Sequence, residues 1–238
     1  MQLRDFRALS FDCYGTLIDW ETGIWDALSP LRRAGLSDRT AALAAFARHE
    51  SAVQKAEPKA GYPDVLARVH QRLSEEFDFP PDPELDVGFG ASVKDWPAFP
   101  DSEAALQYLG RHFRLIILSN VSRAVFASSE RRLGACFDAV YTAEDIKSYK
   151  PDPRNFRYLI EHCEQDFGIG KEELLHVAQS LYHDHVPARV AGLASAWIDR
   201  QQGQPGATKP VTKRPDVSFV FPDLAALAAA HRAEYESA

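Results

Sequence analysis

Six short apolar runs set the frame for this chain: Ala8–Phe11, Leu115–Leu118, Ala139–Thr142, Leu174–Ala178, Ala194–Ile198 and Val217–Phe221. Several are continuous rather than alternating with polar residues. A strand reads that way when both of its faces are buried, as in a parallel sheet covered by helices. Helical stretches accompany the later runs at Asp101–Arg111, Arg123–Leu133, Pro153–Glu164, Asp184–Ala191 and Leu224–Ala230. The alternation predicts βαβ units and an α/β fold with a doubly wound, mainly parallel, Rossmann-like sheet.

The first run breaks this rhythm, because no second strand pattern follows Leu17 for almost 100 residues. Amphipathic stretches fill the gap at Trp20–Ala34, Asp38–Lys55, Pro63–Phe77 and Pro83–Val93, punctuated by the breaker clusters "EPKAGYP", "FPPDPE" and "WPAFPD". They predict an all-helical cap domain over 18–96, inserted into a core domain of 1–17 and 97–238. The polar, Gly/Pro-bearing segment 201–215 reads as a mobile loop.

Composition narrows the function classes. A net charge of −7 disfavours nonspecific binding to nucleic acid or to an anionic membrane. No run approaches the roughly 20 apolar residues that span a bilayer. The chain enters a strand pattern at once, so no signal peptide is expected. Three scattered cysteines without zinc or CxxC spacing suggest a reduced, cytoplasmic protein without a structural disulfide.

In open α/β sheets, ligands bind beyond the carboxyl ends of the strands. Polar residues fall at three such ends. "LSFDCYGTL" places Asp12 after the first run, either as a turn former or as a catalytic carboxylate. "FRLIILSN" ends in Ser119 and Asn120, which suit a helix N-cap or an anion site. The fourth run ends in Gln179 and Ser180. In "SYKPDPRNF", Lys150 is a solvated lysine or a cation that keeps Asp12 ionised. Asp184 begins an apparent helix, where acidic residues are favoured. The neighbouring His183 and His185 resemble metal ligands, but adjacent side chains rarely converge on one ion. Cys13 is a buried space-filling thiol or a nucleophile.

Asp-x-x-Gly-Thr, a strand ending in Ser-Asn, Lys-Pro and a late aspartate occur in that order, with a helical segment after the first motif. Together they resemble the haloacid dehalogenase superfamily over nearly the whole chain. Its phosphatase branch carries a second carboxylate where this chain has Tyr14, and a metal-binding aspartate where it has Gln179. A Mg²⁺ site usually needs one or two carboxylates together with the substrate phosphate. The pattern is more similar to the type II 2-haloacid dehalogenases. That resemblance implies metal-free, cofactor-free hydrolysis of a small haloacid through an ester on Asp12, in a protein that is commonly a homodimer.

The resemblance further implies a role for each site residue. Lys150 would orient Asp12, while Ser180 and Asp184 would serve the hydrolytic step. Ser119 and the backbone at Cys13 and Tyr14 would hold the substrate carboxylate. Tyr14 and Tyr62 would wall the pocket. Arg48, on the helix "AAFARHESAVQ", stands at the place of the family's halide-binding arginine, with His49 beside it, and Asn120 would complete the halide cradle. Gln179, Leu181, His183 and Phe156 depart from the family pattern, which leaves activation of the water to His183. A Mg²⁺-dependent phosphatase and a non-dehalogenating small-carboxylate binder are the alternative readings.

Overall fold

The computed structural model describes residues 1–57, 60–203 and 210–236. Strand β1 (Ala8–Phe11) is followed by five helices, α1 (Trp20–Ala27), α2 (Ser29–Arg33), α3 (Arg39–Ala56), α4 (Tyr62–Glu76) and α5 (Pro83–Ala91). The chain then alternates: α6 (Ser102–Leu109), β2 (Arg114–Ser119), α7 (Arg123–Leu133), β3 (Ala139–Thr142), α8 (Ala143–Ile146), α9 (Pro153–Phe167) and β4 (Leu174–Ala178). It closes with α10 (Val186–Val190), β5 (Ala194–Ile198), β6 (Phe219–Phe221) and α11 (Leu224–Glu236).

The strands form one parallel sheet in the order β3-β2-β1-β4-β5-β6. All four residues of β1 and all five of β4 are buried, as their unbroken apolar runs require. From β1 the chain winds outward through β2 and β3, then returns to place β4 on the other side of β1. The order reverses between β1 and β4, and the crevice at such a reversal is where open α/β sheets receive ligands. Asp12 follows the last residue of β1, at this crevice.

The differences from the sequence reading are local. The stretch Trp20–Ala34 is two helices joined at Leu28, because Pro30 lacks the N–H that would continue the first. The expected strand Val217–Phe221 shrinks to Phe219–Phe221, an edge strand paired only with β5. The helix expected at Asp184 is preceded by a π-turn over Leu181–His185, in which His185 N–H donates to the Ser180 carbonyl at 3.3 Å. Helix α8 was not expected, although Thr142 and Asp145 form a capping box that "TAED" spells out. Part of the expected loop, residues 204–209, lies outside the described residues. No helix among the described residues is long and apolar enough to cross a membrane.

The helical insert joins the strand ends through aromatic packing. Trp96 is buried and meets Tyr14 edge-on, with ring centroids 5.6 Å apart, and Tyr62 at 6.4 Å. Gly23 of α1 makes room for it, since a Cβ there would stand 2.3 Å from Trp96 Cγ. Gly23→Ala is therefore expected to cost about 1–3 kcal/mol through overpacking, read from urea unfolding.

Candidate functional site

The turn after β1 fixes Asp12. Gly15 has φ +98°, a conformation that L side chains rarely adopt, and a Cβ there would crowd the Trp20 ring at 3.1 Å. This turn brings Thr16 back onto Asp12: the Thr16 hydroxyl donates to Asp12 Oδ2 at 3.0 Å and accepts from the Gln179 N–H at 2.9 Å. Asp12 Oδ1 accepts from Lys150 Nζ at 2.8 Å.

Lys150 is buried, 3% exposed, and its ammonium has three acceptors. Besides Asp12 these are Asp184 Oδ1 at 2.7 Å and the Leu118 carbonyl at 2.8 Å. Its backbone is pinned by Asn120, whose Nδ2 donates to the Lys150 carbonyl at 3.1 Å and whose Oδ1 accepts the Lys150 N–H at 2.6 Å. Asp184 Oδ1 also lies 3.0 Å from His176 Nε2, and the Ser10 hydroxyl lies 2.9 Å from His176 Nδ1. Phe156 meets the His176 ring edge-on at 5.1 Å.

The two carboxylates are held unequally. Burial pushes Asp184 up, but Lys150 and His176 outweigh it and keep the carboxyl well below its ordinary range. Burial also raises Asp12, and Lys150 offsets this only in part while Asp184 adds repulsion. Burial alone would lower Lys150, yet the two carboxylates hold it above its ordinary value, firmly charged.

A cavity of about 100 Å³ lies over these groups, enough for a molecule of a few heavy atoms. From the core it is bordered by Asp12, Tyr14, Ser119, Asn120, Lys150, Gln179, Ser180, His183 and Asp184. The insert contributes Trp20, Phe46, Glu50, Gln54 and Tyr62. Ser119 Oγ is buried without a hydrogen-bond partner, as is Asp184 Oδ2. The Ser180 hydroxyl lies 3.1 Å from His183 Nδ1. The Tyr14 hydroxyl turns away to Ser129 at 2.8 Å, so its ring faces the cavity and its oxygen does not.

Two expected assignments change, and one open alternative closes. Arg48 does not border the cavity: it is exposed and paired with Glu76 at 2.6 Å, as is His49 at 2.7 Å. On an α-helix, residues two apart point about 200° around the axis from each other, so the neighbour that faces the cavity is Glu50. Asn120 does reach the cavity, but its amide is engaged at both ends by the Lys150 backbone. The Cys13 side chain is buried outside the cavity, and burial pushes its thiol well up, which removes it as a nucleophile. All three cysteines are free. His176 and Glu50 escaped the sequence reading, and Thr16 entered it only as the last residue of the Asp-x-x-Gly-Thr motif. The histidine in the apolar run "LLHVA" and the threonine four residues after Asp12 were the available signals.

The donor set does not fit a divalent cation. Tyr14 offers a phenol directed elsewhere, Gln179 is an amide, and the two remaining carboxylates already share the Lys150 ammonium. No group of three or more acidic, histidine or cysteine side chains able to hold a metal occurs among the described residues. Lys150→Met would leave two buried carboxylates without their cation. It is expected to cost about 3–5 kcal/mol in urea unfolding near pH 7, a loss that shrinks as the pH falls and the carboxylates protonate.

The model of the haloacid dehalogenase-like hydrolase family matches residues 6–191. The phosphoglycolate phosphatase of Photorhabdus laumondii is 31% identical over 202 residues, 80% of this chain and 79% of that one. The (S)-2-haloacid dehalogenase H-109 of Pseudomonas putida is 26% identical over 212 residues, 84% of this chain and 88% of that one. The chain spans about half the length of two further curated relatives, a phosphoserine phosphatase of Thermus thermophilus (47%) and a haloacid dehalogenase-like hydrolase domain-containing protein of Danio rerio (45%). The solved structure of L-2-haloacid dehalogenase from Xanthobacter autotrophicus shares the fold, with TM-score 0.79 at 20% identity, over 95% of this chain and 98% of that one. With its parallel sheet, its strand-end aspartate and this family match over most of its length, the chain belongs to the haloacid dehalogenase-like hydrolases.

Proposed function

We propose that the protein is a metal-independent hydrolase of small 2-haloacids that works through a covalent ester on Asp12. The observation that carries this reading is the Lys150 ammonium bridging Asp12 and Asp184 in a site whose other motif positions hold a phenol and an amide. Such a site supplies an anionic nucleophile but no hard-oxygen cage for Mg²⁺.

In this mechanism the helical insert, residues 18–96, acts as a cap that excludes water. Ser119 Oγ and the backbone N–H groups at Cys13 and Tyr14 hold the substrate carboxylate. Lys150 and Thr16 orient Asp12, which attacks the carbon bearing the halogen. The carbon–oxygen bond forms as the carbon–halogen bond breaks, and the halide leaves with the bonding pair. Water, positioned by Ser180 and His183, then attacks the ester carbonyl of Asp12. This step returns the carboxylate and releases a 2-hydroxy acid and a proton. A histidine is suited to take that proton near neutral pH.

The phosphatase relatives motivate the competing reading. Purified protein should release halide from chloroacetate or 2-chloropropionate with EDTA present, and Asp12→Asn should reduce the rate at least about 10³-fold. Phosphate release from small phosphomonoesters that requires Mg²⁺, without halide release from any haloacid, would replace this reading by the phosphatase one. The active form has Asp12 ionised and its pKa lies above the ordinary 3.8, so kcat/KM should fall on acidification at a pH above that value.

A further inference from the structure

The insert side of the cavity carries an acid and, among the described residues, no cation. Phe46, Ala47, Glu50, Ser51 and Gln54 form one face of α3 and border the cavity together. Lys150 is the only lysine or arginine among the described residues lining it, and that ammonium is already shared by Asp12 and Asp184. A carboxylate at Glu50 would repel both a haloacid anion and a departing halide.

The hydrogen bonds show how Glu50 avoids this. Tyr62 Oη donates to Glu50 Oε1 at 2.6 Å, and Gln54 Nε2 donates to the same oxygen at 3.3 Å. Both donors meet one oxygen, and Oε2 has no partner among the described residues. A neutral carboxyl satisfies this arrangement: its carbonyl oxygen accepts twice and its O–H is left to face the cavity. Burial pushes the Glu50 carboxyl up to about 7, although the Tyr62 hydroxyl pulls it down.

We infer that Glu50, in its protonated form, is the hydrogen-bond donor that receives the departing halide on the insert side of the cavity. Glu50 keeps its proton throughout. Asp12 oxygen forms the bond to carbon, the carbon–halogen bond breaks, and the halide with its electron pair is held by the carboxyl O–H. This assignment rests on the dehalogenation reading for its substrate, but halide binding tests it without turnover. Above pH about 7 Glu50 ionises, and the same position repels the halide it would otherwise hold.

Other titratable groups face this one. Tyr62, Tyr14 and Tyr149 lie on the same side of the acid range and stay neutral there, since burial raises all three phenols. Across the cavity stand Asp12, Lys150, Asp184 and His183. Of these His183 is the residue type that titrates near neutrality, so its variant is the necessary control.

The experiment is bromide binding followed by tryptophan fluorescence from pH 6 to 9, with Trp20→Phe showing that the signal comes from the cavity. In the wild type the dissociation constant should rise about tenfold per pH unit once Glu50 ionises. Glu50→Gln, which keeps a donor that cannot ionise, should bind with the wild-type low-pH affinity across the range. Glu50→Ala should bind at least about tenfold more weakly at pH 6. His183→Asn should keep the pH dependence, and Arg48→Ala should match the wild type throughout. A Glu50→Gln curve that follows the wild type, or a wild type that binds no bromide at pH 6, overturns the inference. Bromide binding of the expected form without turnover of any haloacid would remove the dehalogenation reading and leave the halide site standing. Turnover with pH-independent bromide binding would do the reverse.

Discussion

The site depends on one buried ammonium. Lys150 Nζ draws together the ends of three adjacent strands: Asp12 after β1, the Leu118 carbonyl of β2 and Asp184 in the turn after β4. Buried charges persist only when they are paired and hydrogen-bonded, and each supporting contact serves that requirement. Asn120 fixes the Lys150 backbone, and His176 takes the remaining demand of Asp184 Oδ1. Ser10 hydrogen-bonds the other nitrogen of the His176 ring, and Phe156 backs that ring. The consequence is an uneven pair of carboxylates, with Asp184 deeply stabilised and Asp12 kept nearer to protonation.

The cavity over this network has two unlike walls. The core wall is charged and rigidly hydrogen-bonded. The wall from the helical insert is largely aromatic, built from Trp20, Phe46 and Tyr62, with Glu50 as its acid. A desolvated acid without a cation nearby holds its proton to higher pH than usual, so below pH about 7 the insert adds hydrogen-bonding capacity without adding charge. Trp96 ties the two walls together, because it packs against Tyr14 on one side and Tyr62 on the other. Movement of the insert would therefore be felt at the mouth of the crevice.

Much of this was legible in the sequence. Short unbroken apolar runs bounded by turn residues suit strands buried on both faces, and the gap after Leu17 lacks such runs and reads as helical. Polar residues at the ends of such strands converge because a parallel sheet aligns its carboxyl ends. Asp12, Lys150 and Asp184 therefore met as expected. The order of the motifs and the absence of a second acid at Tyr14 and Gln179 were likewise fixed by residue identity alone.

Other features were decided by tertiary structure. The helix carrying Arg48 was correctly placed, but its rotation about its own axis was not, because that helix is only weakly amphipathic. Packing against α4 turns Arg48 out to Glu76 and turns Glu50 in. The role of Asn120 shifted in the same way: a residue at a strand end can face the ligand or brace its neighbour, and the position of the Lys150 backbone chose the second. Sequence determines which chemical groups reach the crevice, since that follows from periodicity and strand direction. Which of them face the ligand, and in which protonation state, follows from side-chain packing and desolvation, which exist only in the folded molecule.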